Sequence, residues 1–245
     1  MTDGAKDLRD LFAPGIEPIE ARPGIWSALS RPVEGQSYDG RARLYDALIG
    51  NALYNRLAWG TSPASYEEFA HAASESGTGA LLDAGCGTLV STAGVHARSG
   101  RPTMLVDLSL DMLAAARERI GRVAGGVPDH VLFLQADLFD LPFIDGAFGA
   151  VLAQGVLHLF EDIAARAREL ARVTVPGGQV FASSLVADRG PGRLYLGALH
   201  RAGEVAAPRR LAELVARLED SASRLARPIA ARREGNMAFL TARPS

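Results

Sequence analysis

The sequence predicts an α/β fold built on a doubly wound parallel sheet, and three features predict it. Ala80-Leu81-Leu82-Asp83-Ala84 is an apolar run short enough for a buried strand, and Gly85-Cys86-Gly87-Thr88 after it is a glycine turn that bends sharply into a helix. From there to about residue 185, apolar segments of strand length alternate with segments of helical pattern. Two further helical patterns follow, and the chain closes with a hairpin from Pro228 to Arg243 around Gly235-Asn236.

In chain order, residues 1–36 hold Pro14, Pro18, Pro23 and Pro32, which argues against a long regular element, although Ala5 to Phe12 has the length of one short helix. Ile16, Ile19, Ile25 and Trp26 are too apolar for a free tail, so this arm is expected to lie on the domain. Tyr38, Leu44, Tyr45, Leu48, Ile49, Leu53, Tyr54 and Leu57 recur at helical steps and predict an amphipathic helix or a bent pair over 37–58. A third helix starts at Ser62-Pro63, with serine as cap and proline in the first position, and runs to about Ser76; Ser65 and Glu68 have the spacing of a capping box one turn later. Strands are expected at 80–84, 103–107, 131–136, 148–153 and 179–185, each apolar enough to be buried on both faces. Helices are expected at 90–98, 110–121 with Ser109 as N-cap, 161–173, 191–205 and from Pro208 to about Leu225, and Pro176-Gly177-Gly178 turns the third of these into a strand.

Composition narrows the function. The 245 residues suffice for one α/β domain with a substantial core, and the net charge of −2 leaves no cationic excess to hold a phosphate backbone, which argues against nucleic acid as a partner. The lone Cys86 cannot form an internal disulfide, and no apolar run approaches the roughly 20 residues of a membrane span, so the chain reads as cytoplasmic with no membrane partner. No metal site is expected, and a homodimer is one arrangement open to it.

The glycine turn separates two ligand classes. A dinucleotide site wants Gly-x-Gly-x-x-Gly, but Gly85 and Gly87 are followed by Thr88, Leu89 and Val90, and Asp83 stands two residues before the first glycine. A carboxylate there would repel a pyrophosphate, which opposes a nicotinamide oxidoreductase. It suits a ligand carrying a positive group and hydroxyls, and S-adenosylmethionine has an ammonium, a carboxylate, a sulfonium and a ribose but no phosphate. Glycines at this bend are expected to let backbone N–H groups approach such a ligand.

Leu82-Asp83-Ala84-Gly85-Cys86-Gly87-Thr88 resembles the first motif of the class I S-adenosylmethionine-dependent methyltransferases, and Ser37-Tyr38-Asp39-Gly40 loosely resembles the tyrosine-bearing first helix of their small-molecule, quinone-methyltransferase-like group. The former resemblance covers about residues 80–243. It implies a Rossmann-like sheet whose last strand, Met237 to Thr241, runs antiparallel, and it leaves the N-terminal third as a helical cap. The expected organisation is therefore an arm at 1–36, a cap or lid at 37–79 and an S-adenosylmethionine-binding domain at 80–245. The family continues with a further glycine where this chain has Leu89. That departure points to the alternative of a non-catalytic S-adenosylmethionine-binding protein with a methyltransferase fold.

Asp83, Ala84, Gly85, Cys86 and Gly87 are the first cofactor-binding candidates. Asp107 follows Gly87 by 20 residues at a strand end, where a carboxylate accepts from both ribose hydroxyls, with Leu108 beside it; the competing reading is a helix-capping acid. Asp137 and Leu138 match the family positions that read the adenine amine and a ring nitrogen, against the reading of a loop-capping acid. The fourth strand ends in Gln154-Gly155-Val156-Leu157-His158, facing the transferred methyl, and it lacks the Asn/Asp-Pro-Pro-Tyr/Phe run of methyltransferases acting on amide or adenine nitrogens. His158 is the candidate catalytic base, or a structural histidine. Tyr38, Tyr45 and Trp59 are lid candidates, and Tyr195 and His200 candidates for the opposite wall, although aromatics at helical spacing are more often core. The expected reaction is methyl transfer to a small neutral or weakly polar molecule, with the acceptor atom undetermined.

Overall fold

The computed structural model describes residues 8–29, 51–220 and 223–245. Its centre is a nine-stranded sheet in the order β1-β2-β5-β4-β3-β6-β7-β9-β8. The inner strands are β3 (Leu81–Ala84), β4 (Thr103–Asp107), β5 (Val131–Gln135), β6 (Phe148–Ala153) and β7 (Thr174–Leu185), all parallel to their neighbours in this group. Each is apolar on both sides because both faces are covered. Leu82, Ala84, Met104, Val106 and Val151 enter one core cluster, whereas Leu81, Ala150, Leu152 and Phe181 enter another on the opposite face.

Helices α1 (Pro63–Glu75), α2 (Ala93–Arg98), α3 (Leu110–Ala124), α4 (Ile163–Val173), α5 (Gly190–Arg201) and α6 (Leu211–Leu218) form the covering layers. Ser109 caps α3 by accepting from the Met112 N–H at 3.3 Å. Ser62 caps α1 by accepting from the Ser65 N–H; Ser65 therefore lies inside the helix rather than at its cap, and its hydroxyl donates to Glu234. The hairpin is β8 (Ala230–Glu234) and β9 (Met237–Ala242), with β9 antiparallel to β7 as the resemblance implied. Strand β7 starts five residues earlier than expected: Thr174 pairs with Phe148 and Gln179 with Ala150, so Pro176-Gly177-Gly178 is looped out as a bulge within the strand.

The N-terminus departs from its expectation. Leu8–Leu11 is a single buried 3-10 turn, but β1 (Ile19–Arg22) and β2 (Ile25–Ser27) form a hairpin that joins the sheet, with β2 parallel to β5. Pro23-Gly24 makes its turn. The segment expected as a cap is also core from Pro63 onward: Phe69 packs edge-on against Phe181 and Phe239, and Ala70 and Ala73 are fully buried. Before it, Ala52–Tyr54 is one helical turn that runs into a π-turn, Asn55–Trp59. Residues 37–50, which complete the expected lid, lie outside the described residues.

Arg101 ties α1 to the start of β3. Its guanidinium donates to the carbonyls of Ala73, Ser74 and Ser76 at the end of α1 and to those of Gly79 and Ala80, at 2.6–3.3 Å. These are the carbonyls that a helix end leaves without partners. Arg101→Ala is expected to destabilise the fold by roughly 2–3 kcal/mol, as loss of a charged donor to several acceptors does. In thermal unfolding this reads as a Tm lowered by about 4–12 °C; an unchanged Tm would remove Arg101 from this role.

Candidate functional site

Strand order reverses between β3 and β6, and in open α/β sheets ligands bind beyond the carboxyl ends at such a point. The turn after β3 is fastened to β4. The Gly85 and Cys86 N–H groups both donate to the Val106 carbonyl, at 2.8 and 2.9 Å, and the Gly87 N–H donates to Asp107 Oδ2 at 2.9 Å. These three amides are therefore spent inside the protein, which corrects the expectation that they would meet the ligand. A Cβ at Gly85 would lie 2.8 Å from Val156 and 3.3 Å from Leu138, so the loops after β6 and β5 close on this glycine, whereas the space beside Gly87 is open.

Leu89, where the resemblance called for glycine, has φ +55 and is buried among Leu105, Leu110 and Phe133. The left-handed conformation costs a leucine about 1–2 kcal/mol, and its burial more than offsets that. Cys86 lies between Asp83 and Asp107; burial and both carboxylates push its thiol well up, so it stays protonated and unreactive near neutral pH.

Asp83 is 2% exposed, and its Oδ2 lies 2.8 Å from Nε2 of the fully buried His96 on α2. Its Oδ1 has no hydrogen-bond partner among the described residues. On the neighbouring strand end, the Gln154 Nε2 donates to the Tyr66 carbonyl at 3.1 Å while its buried Oε1 is likewise unpartnered. Two orphaned acceptors at adjacent strand ends call for a ligand with several N–H donors, and a cation best of all.

At the end of β4, the Asp107 Oδ1 accepts from the Ser109 N–H at 2.9 Å, so both its oxygens anchor backbone and each keeps a further lone pair. Burial pushes this carboxyl up to about 6 against those two bonds. Leu108 beside it is partly exposed. Asp137 accepts from the Phe139 N–H at 2.8 Å through Oδ1, which is the loop-capping role, and the half-buried Leu138 faces Gly85.

His158 lies in the 3-10 turn Leu157–Leu159 after β6. Its Nδ1 accepts from the Leu185 N–H at 3.3 Å, which assigns the ring hydrogen to Nε2, and burial with the nearby Arg209 lowers its pKa to about 4. The imidazole is neutral and presents a donor. Tyr195 stacks on Trp59 with ring centroids 5.0 Å apart, and its hydroxyl lies 3.0 Å from that of Tyr54, which makes it a link between α5 and the π-turn. His200 is exposed and bonded to the Val205 carbonyl. Tyr38 and Tyr45 fall outside the described residues. His96 carried no signal in the sequence, since only the fold brings α2 behind Asp83.

The methyltransferase domain family matches residues 82–182, from β3 into β7. Residues 82–182 are thus a methyltransferase domain. Over 101 residues it is 42% identical to the demethylmenaquinone methyltransferase of Mycolicibacterium gilvum, a match covering 41% of this chain and 39% of that one. The chain spans 28% to 63% of the length of eight curated relatives. Among solved structures, the domain's fold is like that of the [4+2]-cyclase SpnF, with TM-score 0.64, 20% identity and coverage of 86% of this chain and 95% of that one. It is also like that of geranyl diphosphate C-methyltransferase from Streptomyces coelicolor, solved with geranyl diphosphate and S-adenosylhomocysteine, at TM-score 0.62, 16% identity and coverage of 87% and 100%. Leu89 holds a left-handed backbone, the conformation that glycine adopts most readily. Leu89→Gly removes a buried side chain worth about 2–5 kcal/mol and relieves about 1–2 kcal/mol of backbone strain, so a net loss of stability in denaturant unfolding is expected; a more stable variant would show that strain dominates.

Proposed function

We propose that this chain transfers a methyl group from S-adenosylmethionine to a small-molecule acceptor by in-line displacement. The observation that carries the proposal is the pair of buried, unpartnered acceptors, Asp83 Oδ1 and Gln154 Oε1, beside the open face of Gly87 at the switch point. The residues fit S-adenosylmethionine. Asp83 and Gln154 would hold its ammonium, Asp107 would accept from the ribose hydroxyls with lone pairs not used by Gly87 and Ser109, and Asp137 with Leu138 would border the adenine. When bound, this cofactor supplies a methyl on a positively charged sulfur, an electrophile that requires no nucleophilic side chain on the protein.

The chain's own part is positioning and the exclusion of water. Val156 and Leu138 close over the glycine turn, and His158 offers Nε2–H to a heteroatom of the acceptor while its Nδ1 stays with Leu185. Proton removal by His158 would require the other tautomer and the loss of that backbone bond. The alternative of a non-catalytic cofactor-binding protein drew on Leu89, and the left-handed backbone there keeps a turn that glycine would also form, so the substitution alone does not argue for that alternative.

Calorimetric titration with S-adenosylhomocysteine, with NADH as control, tests the reading: binding of the first alone is expected, and binding of NADH alone or of neither would overturn it. Asp107→Ala should weaken binding about 10- to 100-fold. An unfolded carboxyl titrates near 4 and the folded Asp107 at about 6, so the ligand-free fold loses stability as pH rises between those values and none above. A ribose diol donates to the ionised form. The affinity for S-adenosylhomocysteine should therefore be flat above pH 7 and fall toward tenfold per unit below about pH 6, a slope absent in Asp107→Ala.

A further inference from the structure

An open groove of about 500 Å³ lies between α5 and the segment that precedes α6. Arg193, Arg201 and Arg210 line it with Leu194, Ala187 and Pro208, and no Asp or Glu is among its lining residues. The nearby acids are committed elsewhere. Asp188 accepts from the Leu211 N–H at 2.8 Å, and Glu161 pairs with Arg209 at 3.0 Å and accepts from the Ala207 N–H. Among the described residues, none of the three arginines has an ion-pair partner. Three exposed cations without ion-pair partners thus border one space in a chain of net charge −2, an arrangement that favours an anion there.

The local sequence is built for this. Arg193, Gly197 and Arg201 recur every four residues on one face of α5, and a glycine inside a helix costs about 1 kcal/mol relative to alanine. Here it leaves a gap between the two arginines, since a Cβ at Gly197 would meet nothing within 4 Å. Leu194, 76% exposed, adds an apolar wall.

Two short stretches of chain, each hydrogen-bonded to His158, lead from the candidate site to the groove. Val156 closes on Gly85, and His158 follows it by two residues. The Leu185 N–H bonds to His158 two residues before Ala187 of the groove, and the Ala206 N–H donates to the His158 carbonyl two residues before Pro208. We infer that this groove binds the methyl acceptor, and that the acceptor is an amphiphilic anion whose oxyanion head lies among Arg193, Arg201 and Arg210 and whose apolar part lies along Leu194, Ala187 and Pro208 toward His158. The inference rests on the methyl-transfer reading and replaces the neutral acceptor expected from the sequence.

The test is a calorimetric titration of the full chain with octyl phosphate as probe, octanoate as the singly charged arm and octyl glucoside as the neutral one. The wild type is compared with Arg193→Gln/Arg201→Gln and with Arg210→Gln, none of which touches the cofactor-binding candidates. Octyl phosphate is expected to bind more tightly than octanoate, with octyl glucoside weakest. Both variants should lose at least tenfold in octyl phosphate affinity while their Tm and their S-adenosylhomocysteine affinity stay at the wild-type values, and raised salt should weaken the wild type more than either variant. Equal binding of the neutral probe, unchanged affinity in both variants, or no octyl phosphate binding by a folded wild type would overturn the groove assignment. Failure of S-adenosylhomocysteine to bind while arginine-dependent phosphate binding persists would instead overturn the methyl-transfer reading on which the word acceptor depends.

Discussion

The attachment of one turn to one neighbouring strand is the constraint from which the rest of the site follows. Val106 receives two successive amides from the bend after β3, and the Asp107 side chain receives the third. With those donors consumed, the bend has fixed curvature and no amides from Gly85, Cys86 or Gly87 left for an anion, unlike a phosphate-binding loop. In the proposed reading, recognition falls to side-chain oxygens: a carboxylate on β3, an amide after β6 and a carboxylate on β4. The last of these is oriented by the same bond that fixes the bend, so the shape of the glycine turn and the position of its acid are not independent.

Much of this was legible in the sequence because it is local. The five inner strands are continuous apolar runs, Ser62 and Ser109 are capping residues in front of helical patterns, and Gly235-Asn236 sits between two strand-like segments. What escaped depends on distant partners. Strands β1 and β2 are four and three residues long between prolines and glycines, and β2 is a strand only because β5 offers it an edge. Ser65 has a cap's spacing to Glu68, yet it lies inside the helix and its hydroxyl reaches Glu234, 169 positions later. Pro176-Gly177-Gly178 reads as a break, yet the sheet continues across it because Thr174 still finds Phe148.

The site divides in the same way. Asp83, Asp107, Asp137 and Gln154 stand at strand ends, where alternation of elements alone places them. Their partners were out of reach, because His96 meets Asp83 through helix packing and the Tyr66 carbonyl meets Gln154 from helix α1. Leu89 shows how an apparent departure resolves: the turn requires a backbone conformation rather than a residue type, and a hydrophobic cluster beneath it holds a leucine there. The capping role of Asp107 does not exclude the proposed ligand role, since the carboxylate anchors two amides and retains acceptor capacity.

The hairpin of β1 and β2 has a bearing on solubility. An apolar parallel strand with an uncovered flank is a template for pairing with another chain. Here β2 occupies the flank of β5, and the sheet ends instead in β1, which carries Glu20 and Arg22, and at its opposite side in β8, with Arg232, Arg233 and Glu234 in sequence. Both outer borders thus present mixed charge on short, exposed strands. The proline-rich arm acts as a hem on the sheet, keeping the hydrophobic strands that build the site from joining those of a second molecule.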